Sequence, residues 1–530
     1  MAKLTKADYV ALGTICLLFL ARCVFLGRGY LWFDEILSFN LIHDPSTSHM
    51  LMALGDQADG VPPVYYLVAR AWAAVFSENP MMLRMLSAVG FCAGFGLLWL
   101  TLRQAFAFFP TLLAVAIVTV SDPTITFESL NIRFYGLLFA LICLAVYLGF
   151  RLCRADCAGW GLLAANALTQ AALVLCHPLG GFYGAAIMGG VVLSQFLASP
   201  ARFRPAILGS YCAGWLAILL WLRQFLRQAD LNNPSSWIPV PKIHDLSSTL
   251  QQEGDFYPLF LIYPVLLLFS SLAGWERLVL PEEARRTQSD FSGVLRSQLL
   301  IALCLIGITP LFWLISRLLP NNSIFIPRYM IGTVVGWTFV CAFLVASICD
   351  RIVYGRKWVL CAAGMLVVAI ALKPVYGPLL STLRGRPPLD ENVALAGKSD
   401  ISFGHLSLPI VCPVVSDFAV RRRYAADPGR YFFLLNWQAS VAPEAFPGMT
   451  VAYKLLSAQK RYSYESNNVM DASEFLGKYD AFLVLDIPHF DWCSLFLKPG
   501  QYKITRLEQN HPLLHHNNGE WPLLLVEKRP

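Results

Sequence analysis

Asp34 and Glu35 stand side by side directly after the first long apolar run, in the aromatic setting Tyr30-Leu31-Trp32-Phe33-Asp34-Glu35. A carboxylate at the edge of a membrane span is costly to keep there without a task. Its uneventful reading is a helix cap: Asp34 accepts a bond from the following backbone amides, and the chain through Ile42 lies as an interfacial helix. Its chemical reading is a general base, and the two readings are compatible. Further ionisable groups collect near the same ends of later apolar runs: Arg84, Arg133 with Tyr135, His177, and Arg328 with Tyr329. Snorkelling toward headgroups explains any single arginine there, and an interhelical hydrogen bond explains His177 before Pro178. A random scatter would not put all of them on one side. A carboxylate facing several guanidinium groups at a lipid surface suits one type of reaction. The cations hold an anionic phosphate leaving group and stabilise the charge it gains as its bond breaks, while the carboxylate takes a proton from an incoming hydroxyl or amine.

The elements that must position these groups are membrane spans. Of 530 residues, 56% are hydrophobic and only 14% are charged, against about a quarter charged in a soluble domain. Mean hydropathy is +0.55. Apolar runs recur from Tyr9 to Gly377, and the clearer ones reach the roughly 20 residues that cross a ~30 Å hydrocarbon layer as a helix. Spans are expected near 9–27, 81–102, 110–128, 132–150, 158–177, 181–199, 206–226, 257–275, 297–316, 328–349 and 358–377, about eleven in all. The first is a signal anchor: Lys3 and Lys6 precede it, and its exit, Leu26-Gly27-Arg28-Gly29-Tyr30, offers no small-x-small cleavage site.

With the N-terminus cytoplasmic, the inner segments 1–8, 103–109, 151–157, 200–205, 276–296 and 350–357 hold 14 Lys and Arg. The outer loops 28–80, 224–256 and 319–327 are longer in total and hold only Arg28, Arg70, Arg227 and Lys242. That asymmetry sets the orientation and leaves the C-terminus outside. It also accounts for most of the +7 formal charge, so the basic balance is no sign of nucleic acid. Twelve of the 14 cysteines lie in or beside the spans, where a thiol acts as a small apolar group. Only Cys412 and Cys493 fall in the outer C-terminal region, where the compartment permits a disulfide.

Two outer segments, 28–80 and 224–256, are too long to be plain connectors, and loops of that length usually carry function. In the first, Val64 to Trp72 after Pro62-Pro63 is expected as a helix in the interface. In the second, the stretch from Asn232 to Trp237 is expected to fold over the site. From about Leu380 polar residues return, with Gly385, Pro387 and Pro388 marking a linker. Residues 1–380 are therefore expected to form the membrane domain and 381–530 a small extracytoplasmic α/β domain. Its expected strands are 431–435, 481–485 and 522–526, with a helix near 471–478.

These elements, in this order, resemble the GT-C membrane glycosyltransferases that use polyprenyl-phosphate sugars, in the branch of the protein O-mannosyltransferases, the lipid A aminoarabinose transferase and the Rgt-type lipopolysaccharide transferases. Phe33-Asp34-Glu35 resembles the family's acidic pair in the first outer loop. Asp59-Gly60-Val61-Pro62-Pro63-Val64-Tyr65-Tyr66 resembles its D-x-H-P-P-L-Y-Y element, Leu83 to Ala88 its R-L-P-S-A stretch, and Asn131-Ile132-Arg133-Phe134-Tyr135 its E-A-R-x-Y. Cys176-His177 is similar to the T-H or T-K that ends the fifth span, and Pro327-Arg328-Tyr329 to the late R-Y element. Val61 and Asn131 stand where many members have His and Glu.

The resemblance implies an α-helical GT-C fold and an inverting transfer, from a polyprenyl-phosphate-sugar donor to a glycan, lipid or protein acceptor, in cell-envelope glycan biosynthesis at a bacterial inner membrane. It implies Asp34 as the base, with Glu35, Asp59, Tyr65 and Tyr66 in support. Arg84, Arg133, Tyr135, His177, Arg328 and Tyr329 are implied around the lipid phosphate. Some relatives use a divalent cation, but Asp34, Glu35 and Asp59 are too few to require one by spacing. The rival reading is a secondary transporter, also polytopic and basic inside. Such proteins place their binding groups at the midplane on broken helices related by repeats, and this sequence shows neither feature.

Overall fold

The structure, a computed structural model, describes residues 4–26, 30–154, 159–198, 204–228, 236–252, 288–352, 408–425, 427–464, 467–487, 489–507 and 523–530. The expected spans at 257–275 and 358–377, the linker near 380, and residues 232–235 of the second outer loop lie outside them.

The first helix, α1 (Lys6–Leu26), is followed by three shorter helices, α2 (Phe33–Ile42), α3 (Thr47–Gly55) and α4 (Pro63–Val75). The bundle continues with α5 (Pro80–Leu102), α6 (Phe108–Ser121), the short α7 (Pro123–Glu128), α8 (Tyr135–Arg154), α9 (Trp160–Cys176) and α10 (Gly180–Ala198). Next come α11 (Pro205–Trp215), which runs through a 3-10 segment into α12 (Leu222–Gln228), and α13 (Ile243–Gln252). The membrane part closes with α14 (Gln288–Ile306), α15 (Ile308–Leu318) and α16 (Thr333–Ile352). Among the described residues, six helical stretches are long and apolar enough to cross a membrane, and Trp160–Cys176 and Thr333–Ala346 are shorter apolar helices. The expected span at 110–128 is instead broken. Asp122 caps α7 by accepting from the Ile125 amide at 2.8 Å, and Pro123 cannot continue α6 because it lacks the amide hydrogen. The expected 297–316 run holds as one stretch, Leu295–Leu318, with Gly307 at the junction of α14 and α15.

The tightest seam in the bundle joins α5 to α8. A Cβ at Gly90 or Gly136 would meet the facing backbone, and one at Gly94 would meet the Phe139 ring; in lipid, small residues of this kind let two helices approach closely. At one end of α5, Arg103 Nε donates to Asp8 Oδ1 of α1 at 2.7 Å, joined by the Trp99 indole at 3.1 Å. The groups expected to do chemistry lie at the other end.

The C-terminal region is a six-stranded sheet in the order β3-β2-β1-β4-β6-β5. Its strands are β1 (Ile410–Val411), β2 (Tyr431–Leu435), β3 (Val469–Asp471), β4 (Ala481–Leu485), β5 (Tyr502–Leu507) and β6 (Leu523–Lys528). The first four are parallel, and β6 runs antiparallel to β4 and β5. Every residue of β2 is buried, as a strand covered on both faces requires. One face packs on α17 (Val415–Tyr424) and α19 (Met449–Arg461), which flank the short α18 (Trp437–Val441). The other face packs on α18, α20 (Ala472–Lys478) and α21 (Trp492–Phe496). The permitted disulfide does not form: Cys412 and Cys493 are both buried free thiols, in the cores on opposite faces of the sheet.

Polar and aromatic contacts dock this domain on the short helices. Tyr424 OH accepts from the Leu31 amide at 2.9 Å, and its ring meets Tyr30 edge-on. Arg423 stands over the Phe39 ring, Gln459 Nε2 donates to Ala58 O at 3.2 Å, Arg461 pairs with Asp56, and Tyr464 OH donates to Asp44.

Candidate active site

Five short connections converge at the docked end of the bundle. Asp34 and Glu35 occupy the first turn of α2, where the helix dipole favours negative charge. The N-cap is Trp32, so neither carboxylate is the cap considered from the sequence. Asp59 lies in the turn between α3 and α4, which Pro63 starts at N1. Arg133 lies between α7 and α8, His177 caps α9, and Arg328 sits in a 3-10 turn before α16.

Asp34, Asp59, Arg133, Tyr135, His177, Arg328 and Tyr329 all line one cavity of about 520 Å³. Arg328 Nη1 donates to Asp34 Oδ2 at 3.1 Å, and the guanidinium is framed by the rings of Trp32, Trp237 and Tyr329. Asp34 Oδ1 has no hydrogen-bond partner among the described residues, so one carboxylate oxygen remains open to the cavity. Arg133 Nη1 donates to Asp59 Oδ2 at 2.9 Å, Ser38 Oγ at 3.0 Å and the Asp34 carbonyl at 3.3 Å. Asp59 also accepts from the Gly60 amide at 2.6 Å and from Tyr66 OH. Arg133 thus fixes the backbone that carries Asp34.

His177 stacks on Phe134 and accepts from the Leu179 amide through Nδ1 at 3.2 Å. The neutral ring then carries its proton on Nε2 and offers a hydrogen-bond donor.

Four residues expected at the chemistry do not reach the cavity lining. Glu35 and Arg84 form a buried two-pronged pair, Nε to Oε1 at 2.8 Å and Nη2 to Oε2 at 2.7 Å. Glu35 Oε1 further accepts from the Ile132 amide at 2.9 Å, and Arg84 donates to the Tyr30 carbonyl at 3.1 Å. The pair is a brace joining α2, α5 and the turn before α8, and neither side chain lines the cavity. Tyr65 and Tyr66 are likewise buried behind the cavity, Tyr66 against Asp59 and Tyr65 between the Tyr66 and Phe134 rings.

The sequence reading missed Gln57 and the cavity wall that the C-terminal domain supplies, namely Val415 and Ser416 after β1, Gly448, and Val451 and Lys454 of α19, as well as Ser38, which holds Arg133, and Glu128, which lines an adjoining cavity. An isolated acid near the end of an apolar run is a readable signal for Glu128; nothing local marks the C-terminal residues. Among the described residues no group of three or more His, Cys, Asp and Glu converges as a metal site would require. Asp34, Glu35 and Asp59 are each paired with an arginine.

No protein-family model matches the chain, and no curated protein matches it. Among solved structures it is similar to ArnT from Cupriavidus metallidurans bound to undecaprenyl phosphate, with a TM-score of 0.52, 12% identity and 98% of each chain covered. A second match is the archaeal oligosaccharyltransferase AglB from Archaeoglobus fulgidus, in complex with an inhibitory peptide and a dolichol-phosphate, at 0.47, 10% identity, and 91% of this chain against 69% of that one. A third is the S. cerevisiae protein O-mannosyltransferase Pmt1-Pmt2 complex bound to the sugar donor, at 0.30, 16% identity, and 43% against 34%. The last two scores are too low to carry weight. The first extends over both the helical bundle and the C-terminal sheet, and the chain therefore shares the fold of that structure.

Proposed function

We propose that the protein is an inverting glycosyltransferase that moves a sugar from a polyprenyl-phosphate donor to a glycan, lipid or protein acceptor on the outer face of a bacterial inner membrane. One observation carries the reading: an aspartate with one oxygen open to a cavity is paired through its other oxygen to a half-sandwiched arginine, at the end of an apolar bundle. The fold shared with a structure bound to undecaprenyl phosphate supports the donor class. The Lys and Arg asymmetry supports a cytoplasmic N-terminus and an extracytoplasmic site and C-terminal domain.

In this mechanism the acceptor hydroxyl or amine donates to Asp34 Oδ1. It attacks the anomeric carbon from the face opposite the phosphate, and its proton passes to Asp34 as the new glycosidic bond forms. The bond from the anomeric carbon to the phosphate oxygen breaks, and the phosphate leaves with both bonding electrons. Arg328, with the His177 Nε2 hydrogen beside it, meets the charge that develops there. Arg133 and Asp59 hold the base in register, and the Glu35–Arg84 brace holds the helix that bears it.

The test is transfer of labelled sugar from a panel of undecaprenyl-phosphate sugars by purified protein in lipid, comparing wild type with Asp34→Asn. Consumption of one donor by the wild type and not by the variant supports the assignment and names the sugar. Full activity in Asp34→Asn would sink it, and transport of an unmodified solute would support the transporter reading instead.

A further inference from the structure

A second cavity, of about 390 Å³, shares Arg328 and Trp237 with the first. Its walls come mainly from Pro123, Phe127, Ile326 and Pro327, and among the described residues Glu128 and Arg328 are its ionisable side chains. Glu128 ends α7, which packs against the 3-10 turn that carries Arg328. It lies past the break at Asp122-Pro123 and outside the six stretches long and apolar enough to cross a membrane, yet it is buried. Its Oε2 accepts from Asn131 Nδ2 at 3.2 Å, and Asn131 Oδ1 in turn accepts from the Trp32 indole at 3.3 Å. No other hydrogen bond is made by its side chain among the described residues. Burial is costly for a carboxylate, and it pushes the Glu128 carboxyl up to about 7 against the opposing pull of Arg328 and Asn131.

A buried carboxyl beside a guanidinium acts in two opposite ways. Neutral, it contributes no charge and leaves the cation to other anions. Ionised, it draws the guanidinium toward itself and repels any phosphate arriving there. We propose that Glu128 is a positioning residue for the donor: its protonated form leaves Arg328 to the lipid phosphate, and its ionised form competes with that phosphate. The inference rests on the donor reading above.

The surrounding charges leave this assignment intact. From α2, Asp34 already shares Arg328, and a second carboxylate on one guanidinium favours the neutral form of Glu128. Arg133 is held by Asp59, and Arg84 on α5 by Glu35. Among the described residues, Tyr135, Tyr329, Cys23 with Arg22 beside it on α1, and His244 and Asp245 on α13 are further titratable groups on the elements around it, and Asp122 at the start of α7 is tied to its own helix cap. As pH rises through about 7 the neutral fraction of Glu128 falls, and donor binding weakens with it.

The test is the affinity of full-length protein in nanodiscs for undecaprenyl phosphate, read from tryptophan fluorescence at pH 6 and pH 8, since Trp32 and Trp237 flank Arg328. The lipid's own second ionisation acts equally on every variant, so the ratio of wild-type to Glu128→Gln dissociation constants isolates Glu128. That ratio should rise by up to about tenfold between the two pH values, the change in neutral fraction of a group titrating near 7. The side-chain amide introduced by Glu128→Gln retains an acceptor for Asn131, so the melting temperature should not move, and Glu128→Asp, which keeps a carboxyl, should follow the wild type. Were Glu128→Gln unfolded, a carboxylic-acid infrared band gained by the wild type on adding lipid at pH 8 would carry the same information, and its absence would count against the role. A constant ratio across pH overturns the inference while leaving the donor reading standing. Failure of the wild type to bind the lipid at either pH overturns both.

Discussion

Beneath the cavity, Glu35 and Arg84 close on each other and on the Trp32 and Ile132 amides and the Tyr30 carbonyl, and almost no surface reaches solvent. One residue earlier on the same helical turn, Asp34 makes one side-chain contact, to Arg328, and faces open space. Adjacent residues on a helix point about 100° apart, so one turn of α2 serves two regions of different character. The sealed region is over-determined and suited to holding geometry. The open region is under-satisfied and suited to exchanging partners with a substrate.

The comparison breaks most sharply at Asp34. Asp34→Asn should lower transfer by on the order of 10²–10⁴-fold, the usual worth of a general base, with the thermal unfolding curve in detergent unchanged; a parallel loss of stability would mean that Asp34 belongs to the brace. Next in size is Arg84→Ala, which leaves Glu35 buried and unpaired and should cost about 3–5 kcal/mol of stability. The double replacement Glu35→Leu with Arg84→Met removes both charges and should recover much of that loss, as thermal melts of the three variants would show. A smaller effect is expected where Arg328 is framed. Trp237→Ala removes a cation–π partner worth about 0.5–2 kcal/mol and should raise the KM for donor by roughly 2- to 30-fold with little change in kcat. The smallest lies at the domain contact. Tyr424→Phe removes the acceptor for the Leu31 amide and should weaken docking by about 0.5–1.5 kcal/mol, seen as faster limited proteolysis of the C-terminal domain at unchanged overall melting.

The division between the two regions was only half readable in the sequence. Asp34, Arg133 and Arg328 were legible because an ionisable group near an apolar span stands out, and all three line the cavity. Arg84 met the same criterion and yet lies in the brace, because sequence position shows which end of a span a charge occupies and not which partner saturates it. The short helix Pro123–Glu128 was absorbed into a span because the apolar run carries on past Pro123. In the C-terminal domain, five-residue apolar runs announced β2 and β4 at their observed bounds. Two-residue β1 is too short to show a pattern, and β5, Tyr-Lys-Ile-Thr-Arg-Leu, presents the polar residues of an exposed edge. The domain's share in the cavity wall had no signal at all, since it arises from docking between segments some 400 residues apart along the chain, as in the contact of Leu31 with Tyr424.

The glycine seam between α5 and α8 has a mechanical meaning. With backbone in contact with backbone at Gly90 and Gly136, the two helices behave as a single strut with no slack for a side chain to take up. Arg84 stands at the head of one member, and Arg133 immediately precedes the other. The strut therefore works as a gauge block: flexing of the surrounding bundle moves both mountings together, and the distance between the anchored helix turn and the cation that sets the base is carried through unchanged.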